Sequence, residues 1–206
     1  VSDVVPVILH VIPKPEFTIS NDTTLCIYDA VIPIYAKDFS PAMNEASTVQ
    51  WQVKRGNVVK HFDGELDAEG NNIVTPTSVI TAEDDYTVSG CYKYVYENVY
   101  CTSDTLSMVY SVKGRARTPI VFSSVICQEE EIKDLRALGS PNVTWGSLGN
   151  ENGFIPKPIV CQGTRYKFDA GQVLDTGTYR FVIYDMNIYD EANNLGCKSE
   201  IDTVSL

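Results

Sequence analysis

The stretch "TSDTLSMVYSVKGRARTPIVFSSVIC", residues 102–127, repeats the beginning of the chain, and this repeat is the strongest indication of the fold. It aligns with residues 1–26 without a gap, so that Cys127 lies 101 positions after Cys26 and Ser103 lies 101 positions after Ser2. A further copy begins at Cys197 with "CKSEIDTVSL". The chain therefore consists of a recurring unit of about 100 residues.

Each unit contains one tryptophan followed by a tyrosine-bearing strand. Trp51 precedes Tyr86 by 35 positions, and Trp145 precedes Tyr179 by 34. Short runs of β-branched and aromatic residues alternate with turn signals in both units. This pattern predicts an all-β fold of tandem immunoglobulin-like β-sandwich domains, in which the tryptophans occupy strand C and the tyrosines begin strand F. All four rings are expected in the cores.

The segment with the most helical pattern is also predicted to be a strand. Residues 129–138, "EEEIKDLRAL", correspond to residues 28–37, "YDAVIPIYAK", in the first unit. The latter segment contains proline and β-branched residues, which favour extended structure. The clearest strand signals lie at 49–53, 86–96, 105–112 and 179–184.

The repeat also predicts the domain boundaries. Residues 1–13 match the last strand of the first unit, so we expect them to be the last strand of a preceding repeat plus a linker. Domain 1 then spans residues 14–113, and domain 2 spans residues 114–206 with its last strand truncated. On this reading the sequence is a piece of a longer array, and any export signal lies outside it.

Composition excludes several functional classes. The chain has 206 residues, 44% apolar and 21% charged, with a net charge of −11. This negative field repels phosphate backbones, so nucleic acid is not an expected partner. No apolar run approaches the ~20 residues that a membrane span requires, and no membrane insertion is expected.

The six cysteines indicate disulfides and an oxidising compartment. Equivalent positions in the two units suggest the pairs Cys26–Cys101 and Cys127–Cys197, whose long loops would stabilise each domain by roughly 4 kcal/mol. Cys91 and Cys161 have no counterparts. They could be free, bridge the domains, or change the pairing, for example through Cys91–Cys101, because six cysteines allow about 15 pairings.

No catalytic, metal or cofactor site is predicted. His10 and His61 lie far in sequence from any cysteine or serine constellation that would support nucleophilic catalysis. The segments 185–194 and 67–72 superficially resemble calcium loops, but the first has Tyr189 and Asp190 where a ligand and a glycine are required. Acidic turns are the favoured interpretation.

Tyr92, Tyr94 and Tyr96 form a tyrosine stripe on one face of a predicted strand. If that face is exposed, the three rings could bind sugars or a partner. The favoured alternative is that the rings pack within the sandwich or along neighbouring strands.

A family resemblance adds to these patterns. The run "YKFDAGQVLDTGTYRFVIYD", continued through "EANNLGCKSEIDTVSL", resembles the repeats of large secreted adhesins and gliding-associated surface proteins of Bacteroidota. Those repeats have an F-x-P-x-x-A-G-x-G-T-Y core, a hairpin ending in Gly-Cys, and a final S-x-T-x-T-V strand. The matching positions are Phe168, Asp169, Gly177, Thr178, Tyr179, Tyr184, Gly196, Cys197, Ser199 and Val204. Ala170 departs from the motif, and Cys101 lacks the preceding glycine.

The resemblance implies an immunoglobulin-like module on the cell surface, exported by the type IX route. It also implies O-glycosylation at Asp-Thr sequences, which here would modify Thr23, Thr105 and Thr203. Its partners would be neighbouring repeats and surface glycans or proteins.

Three functions remain as hypotheses. The leading one is a non-enzymatic extracellular spacer within an adhesin or filament. The second is a carbohydrate-binding module that uses the tyrosine stripe. The third is a filament subunit whose first strand, residues 4–12, pairs with a neighbouring molecule. An enzyme is not expected.

Overall fold

The structure, a computed structural model, describes residues 9–122, 125, 132–150, 153, 155, 158–169 and 177–205. These residues form strands, turns and irregular segments, and none of them is helical. The strands are β1 (Glu16–Ile19), β2 (Thr23–Cys26), β3 (Ile34–Ser40), β4 (Thr48–Arg55), β5 (Val58–Asp63), β6 (Glu65–Leu66), β7 (Asn72–Val74), β8 (Asp84–Tyr96), β9 (Val99–Lys113), β10 (Ile120–Val121), β11 (Ile132–Leu138), β12 (Thr144–Gly149), β13 (Pro158–Gln162), β14 (Arg165–Asp169), β15 (Arg180–Tyr184), β16 (Met186–Asp190), β17 (Leu195–Lys198) and β18 (Asp202–Ser205).

The chain divides into two compact units, Val1–Val112 and Lys113–Leu206. The sequence repeat placed the boundary one residue later, after residue 113. Residues 1–8 lie outside the described residues, and no strand occurs between residues 9 and 15. The expected strand of a preceding repeat, residues 1–13, therefore lies mostly outside the described part of the chain.

Unit 1 is a sandwich of two sheets. One sheet has the strand order β1-β3-β7-β6, and the other has the order β2-β9-β8-β4-β5. Phe17 and Ile34 from the first sheet and Trp51 and Tyr86 from the second belong to one buried cluster. Alternate residues of β4 and β8 enter this core because side chains alternate between the two faces of a strand. The predicted all-β sandwich fold is confirmed.

Unit 2 contains sheets of order β10-β11-β14-β13 and β12-β15-β18, together with the β16-β17 hairpin. Its core joins Trp145 on β12 to Tyr166 on β14, with ring centroids 5.7 Å apart. Phe181 on β15 lies 5.1 Å from the Tyr166 ring. The two larger sheets thus meet through aromatic contacts.

The structure can be compared with the strand predictions for segments 129–138 and 28–37. Residues 132–138 form β11, so the part of segment 129–138 that the structure describes is a strand. In the corresponding segment 28–37, the strand begins only at Ile34. The preceding residues form a turn, in which the Asp29 amide donates to the Cys26 carbonyl at 3.1 Å and Tyr28 has φ of 72°.

The tryptophans and tyrosines of the repeat occupy hydrogen-bonded core positions. Trp51 is 1% exposed, and its Nε1 donates to the Asn72 Oδ1 at 2.7 Å. The Tyr86 hydroxyl donates to the Ala82 carbonyl at 2.9 Å and accepts from the Ala82 amide at 3.3 Å, which is the geometry of a tyrosine corner. In unit 2 the Trp145 Nε1 donates to the Gly163 carbonyl at 2.9 Å, and Tyr179 is buried.

Candidate functional site

The end of the β8–β9 hairpin of unit 1 is the candidate site. Residue pairing between β4 and β8 begins at Thr48 and Lys93, so residues 94–96 of β8 extend beyond β4 and pair only with β9. We call Tyr94–Cys101 the hairpin tip. The turn at Glu97 has φ of 52°, as a tight connection between antiparallel strands requires.

The hairpin tip exposes a small cluster of apolar and aromatic side chains. Tyr96, Val99 and Tyr100 are 38%, 61% and 62% exposed. The Lys93 Nζ lies 4.3 Å from the centroid of the Tyr100 ring, a cation–π contact. The His10 ring lies 6.3 Å from the Tyr96 ring. An exposed aromatic pair with a neighbouring cation can contact a protein or a sugar ring.

The tip is held by the connection between β3 and β4. The Asn44 Nδ2 donates to the Val95 carbonyl at 2.8 Å, and the Val95 amide donates to the Ser47 Oγ at 3.1 Å. These bonds satisfy backbone groups that β4 leaves unpaired, so the tip has a defined conformation.

Tyr92 in the tyrosine stripe agrees with the favoured interpretation, in which the rings pack within the sandwich, and not with an exposed surface. Tyr92 is fully buried, with its ring 4.8 Å from that of Phe39, and its hydroxyl donates to the Pro41 carbonyl at 2.9 Å. Burial raises the pKa of the Tyr92 phenol. Tyr94 is partly buried against the same core, which leaves Tyr96 as the exposed ring of the three. The residues do share one face of β8, but that face is mostly the inner one.

Sequence reasoning missed Val99 and Tyr100. Both follow the turn on the other strand of the hairpin, in "ENVYC". The available signal was the presence of apolar residues directly beside a tight turn, where polar residues are more usual.

The cysteines do not pair as equivalent positions suggested. Cys101 is a free thiol, so the predicted pair Cys26–Cys101 is wrong, and Cys91 is also free, so the alternative Cys91–Cys101 is not formed. Cys91 pairs in register with Thr105, whereas Cys101 pairs with Tyr94, which separates the two cysteines along the hairpin.

The other cysteines differ in state. Cys26 and Cys197 are disulfide-bonded. Cys161 is free and exposed. Cys127, and with it the predicted pair Cys127–Cys197, lies outside the described residues.

The two acidic loops are stabilised by internal hydrogen bonds. Asp67 accepts from the amides of Glu69 and Asn71 and from the Asn71 side chain, at 2.8–2.9 Å. These bonds, chiefly that of the Asn71 side chain, lower the pKa of Asp67. Asp190 accepts from Asn193 in the same way, and its pKa is also lowered. Within the described ranges, no group of three or more His, Cys, Asp or Glu residues is placed to hold a metal ion.

The three threonines of the glycosylation hypothesis lie on strands. Thr105 on β9 and Thr203 on β18 are exposed, while Thr23 on β2 is half-buried and donates to the Asn21 carbonyl at 3.1 Å.

The described residues contain no helix that could cross a membrane.

Unit 2 contains a cleft of about 450 Å³ between its first residues and the start of the β16–β17 hairpin. Arg117, Leu138, Gly139, Asp185 and Met186 are among its lining residues. Asp185 is buried, and its carboxylate accepts from the Ser140 hydroxyl, from the Ser140 amide at 3.0 Å and from the Met186 amide at 2.7 Å.

No known protein family and no curated protein matches the chain. Among solved structures, a segment of two fibronectin type III domains from chicken tenascin is 13% identical; the match covers 94% of this chain and 99% of that one, with a TM-score of 0.35. A Bacteroides ovatus surface protein, SGBP-B of a mixed-linkage glucan utilization locus, solved with a mixed-linkage heptasaccharide, is 16% identical over 93% and 47% of the two chains, with a TM-score of 0.31.

The human desmocollin-1 ectodomain is also similar. It is 12% identical over 96% of this chain and 37% of its own length, with a TM-score of 0.29. At these identities and TM-scores, the likenesses carry no argument about architecture, ligand or activity.

Proposed function

We propose that the chain is a non-enzymatic extracellular module that acts as a stiff spacer within a cell-surface adhesin or filament. The observation that carries the proposal is the bonding of residues 113–119, which we call the junction segment. This segment lies between the end of β9 at Lys113 and the start of β10 at Ile120.

The junction segment forms the first residues of unit 2, and three of its residues are bonded to the rest of that unit. The Asn187 side chain donates to the Gly114 carbonyl at 2.8 Å, and the Ala116 amide donates to the Cys197 carbonyl at 3.3 Å. Arg115 forms an ion pair with Glu200 at 3.9 Å. A short connection whose backbone is already bonded has little conformational freedom, unlike a solvated linker.

The disulfide-bonded Cys26 and Cys197 support an extracellular location, since such bonds persist in oxidising compartments. The resemblance to Bacteroidota surface proteins supports export by the type IX route. Exposed Thr105 and Thr203 are accessible to a glycosyltransferase. An intact mass equal to that of the bare chain, measured on protein from the native host, would exclude the modification.

Small-angle X-ray scattering tests the spacer. We expect the conformers that fit the scattering curve of the wild-type chain to span a narrow range of maximum dimension. Insertion of Gly-Gly-Ser after Arg117 should widen that range. The same insertion behind Asn193, in an exposed turn, is the matched control and should leave the range unchanged. Equal breadth for the wild type and the junction insertion would contradict the proposal, and turnover of a substrate would contradict its non-enzymatic part.

A second role, binding through the hairpin tip, is favoured by the exposed Tyr96 and Tyr100 rings. A glycan array tests its carbohydrate form: binding should be lost in Tyr100→Ala and kept in Tyr28→Ala, because Tyr28 is 86% exposed in a different part of unit 1. The third hypothesis, strand exchange by residues 4–12, depends mainly on residues outside the described ranges and stays a prediction.

A further inference from the structure

The two units can be compared position by position through their strand pairing. Ile19 on β1 pairs with Ala36 on β3, and Val121 on β10 pairs with Ala137 on β11. The strands β3 and β11 both lead into a Ser-Pro sequence, at Ser40 and Ser140. Ala36 lies four residues before Ser40 and Ala137 lies three before Ser140, because the register of unit 1 shifts between Glu16 and Thr18. Residues at this end are therefore compared from the nearer anchor, either the strand pair or the Ser-Pro sequence.

In unit 1 this end is filled by three rings, Phe17, Phe39 and Tyr92, which we call the aromatic trio. The Phe17 and Phe39 rings stack at 6.2 Å, and the Tyr92 ring lies 4.8 Å from Phe39 and 6.4 Å from Phe17. Aromatic side chains each bury about 150–250 Å², so the trio accounts for much of the packing there.

Unit 2 has no rings at the counterpart positions. Phe17 lies two residues before Ile19, and the residue two before Val121 is Pro119; Phe39 precedes Ser40, and Gly139 precedes Ser140. An added Cβ on Gly139 would meet the Pro119 Cβ at 3.2 Å and the Asp185 Oδ2 at 3.5 Å, so these residues adjoin as the trio does.

Asp185 is the counterpart of Tyr92. The Tyr92 amide donates to the Ser103 Oγ at 2.9 Å, and the Asp185 amide donates to the Ser199 Oγ at 2.9 Å. Both serine hydroxyls then donate to the next residue's carbonyl at 2.7 Å. Three aromatic rings are therefore replaced by proline, glycine and aspartate.

The cleft of unit 2 lies where these rings are missing. Gly139 and Asp185 line it, and none of the described lining residues is aromatic. Apolar walls come from Ile120, Leu138 and Met186. The Asp185 Oδ2 accepts one hydrogen bond, from the Ser140 amide, and keeps an acceptor position. The cleft thus matches an aromatic ring that bears a hydroxyl group.

The same chain presents such rings at the hairpin tip. Tyr96 and Tyr100 are exposed there on either side of the turn, which carries the exposed carboxylate of Glu97. Arg117, also exposed, lies at the cleft. Glu97 is adjacent to Tyr96 in sequence and carries a charge opposite to that of Arg117, and a guanidinium can also stack on an aromatic ring.

We propose that the cleft of unit 2 receives a tyrosine of the hairpin tip of a second copy of the chain. The ring occupies the space that the aromatic trio fills in unit 1, and its hydroxyl donates to the Asp185 Oδ2. Because the two surfaces differ, the contact is heterologous and can propagate head to tail. The inference gives a partner to the binding role of the hairpin tip and is independent of the spacer role.

Sedimentation equilibrium up to about 1 mM protein tests the contact. We expect concentration-dependent association that weakens about tenfold or more in the Tyr96→Ala/Tyr100→Ala double variant, as for an aromatic anchor. Tyr28→Ala is the control for loss of an exposed tyrosine and should leave the dissociation constant within about twofold.

The cleft is tested from an exposed position so that the core is not altered. Thr118 is exposed and lines the cleft, and Thr118→Trp should fill it and weaken association as strongly as the tyrosine variants. The matched control is Thr203→Trp, at an exposed position of β18 in the same unit. Thermal midpoints of the variants show whether each remains folded.

A charge exchange tests the predicted orientation. Glu97→Arg and Arg117→Glu should each weaken association about two- to fivefold, and the combined variant should recover it. A wild-type chain that stays monomeric up to about 1 mM overturns the proposal. Association that is indifferent to the hairpin tyrosines, or glycan binding by the tip without self-association, also overturns it.

Discussion

The Tyr86 hydroxyl group in the core of unit 1 acts as both a hydrogen-bond donor and an acceptor. It bonds both backbone groups of Ala82 while its ring is completely buried. Trp51 similarly buries its indole and donates to Asn72. Buried polar atoms cost stability when they lack partners, so these two rings can enter the core only because the partners are in place.

Substitution of Tyr86 by phenylalanine should lower the free energy of unfolding by about 1–2 kcal/mol, because both Ala82 groups lose their partner. Urea unfolding would measure the change. Tyr28→Phe removes a hydroxyl from an 86% exposed ring and should have no measurable effect. Equal effects of the two substitutions would show that the Tyr86 hydrogen bonds contribute nothing.

The free and disulfide-bonded cysteines should differ in whether they can be alkylated before reduction. Iodoacetamide should modify Cys91, Cys101 and Cys161 in the folded chain without reduction, because these thiols are free. Cys26 and Cys197 should react only after reduction. Peptide mapping by mass spectrometry would identify the modified residues, and a protected Cys101 would contradict the structure.

At the scale of elements, strand alternation decides which residues enter the core. In β8 the residues at positions 86, 88, 90 and 92 are buried and Thr87 is exposed; Ser89 on the outer face is also buried, with its hydroxyl 2.8 Å from that of Ser107. Sequence alternation reveals this period but not which face turns inward.

The turn between β6 and β7 should show its hydrogen bonds in a titration. The pKa of Asp67 is lowered, so the stabilisation exists above the ordinary carboxyl pKa and disappears as the pH falls through the lowered value. Asn71→Ala removes the largest contribution and should raise the pKa of Asp67. Carboxyl carbon NMR between about pH 2 and 6 would detect the difference; an unchanged pKa would contradict the assignment.

At the scale of the whole molecule, each unit has its own core. One buried cluster draws all its residues from unit 1, and the other draws all its residues from unit 2. A domain with its own core tends to unfold as a separate cooperative transition.

A matched pair of substitutions would test this independence. Ile34→Ala in unit 1 and Ile183→Ala in unit 2 both remove a side chain that is at most 1% exposed. Each should destabilise by about 2–5 kcal/mol. Differential scanning calorimetry should show two transitions, with each substitution lowering one of them. A single transition shifted by both variants would contradict separate unfolding.

The repeat and the alternation of residues were enough to predict an all-β sandwich, because both can be read directly from the order of residues in the chain. Trp51, Trp145, Tyr86 and Tyr179 lie in the cores for the same reason: large apolar rings at fixed places in a repeat are buried together. The repeat period predicted a boundary after residue 113, and the two compact units divide after residue 112.

Only the tertiary structure decided which cysteines pair, which face of β8 is buried, and where unit 2 lacks the aromatic trio. Equivalent positions in a repeat do not ensure that two sulfur atoms meet, because a disulfide requires close approach across strands. The cleft depends on Pro119, Gly139 and Asp185, which are distant in sequence. Their common position exists only when β10, β11 and β16 are brought to the same end of the sandwich.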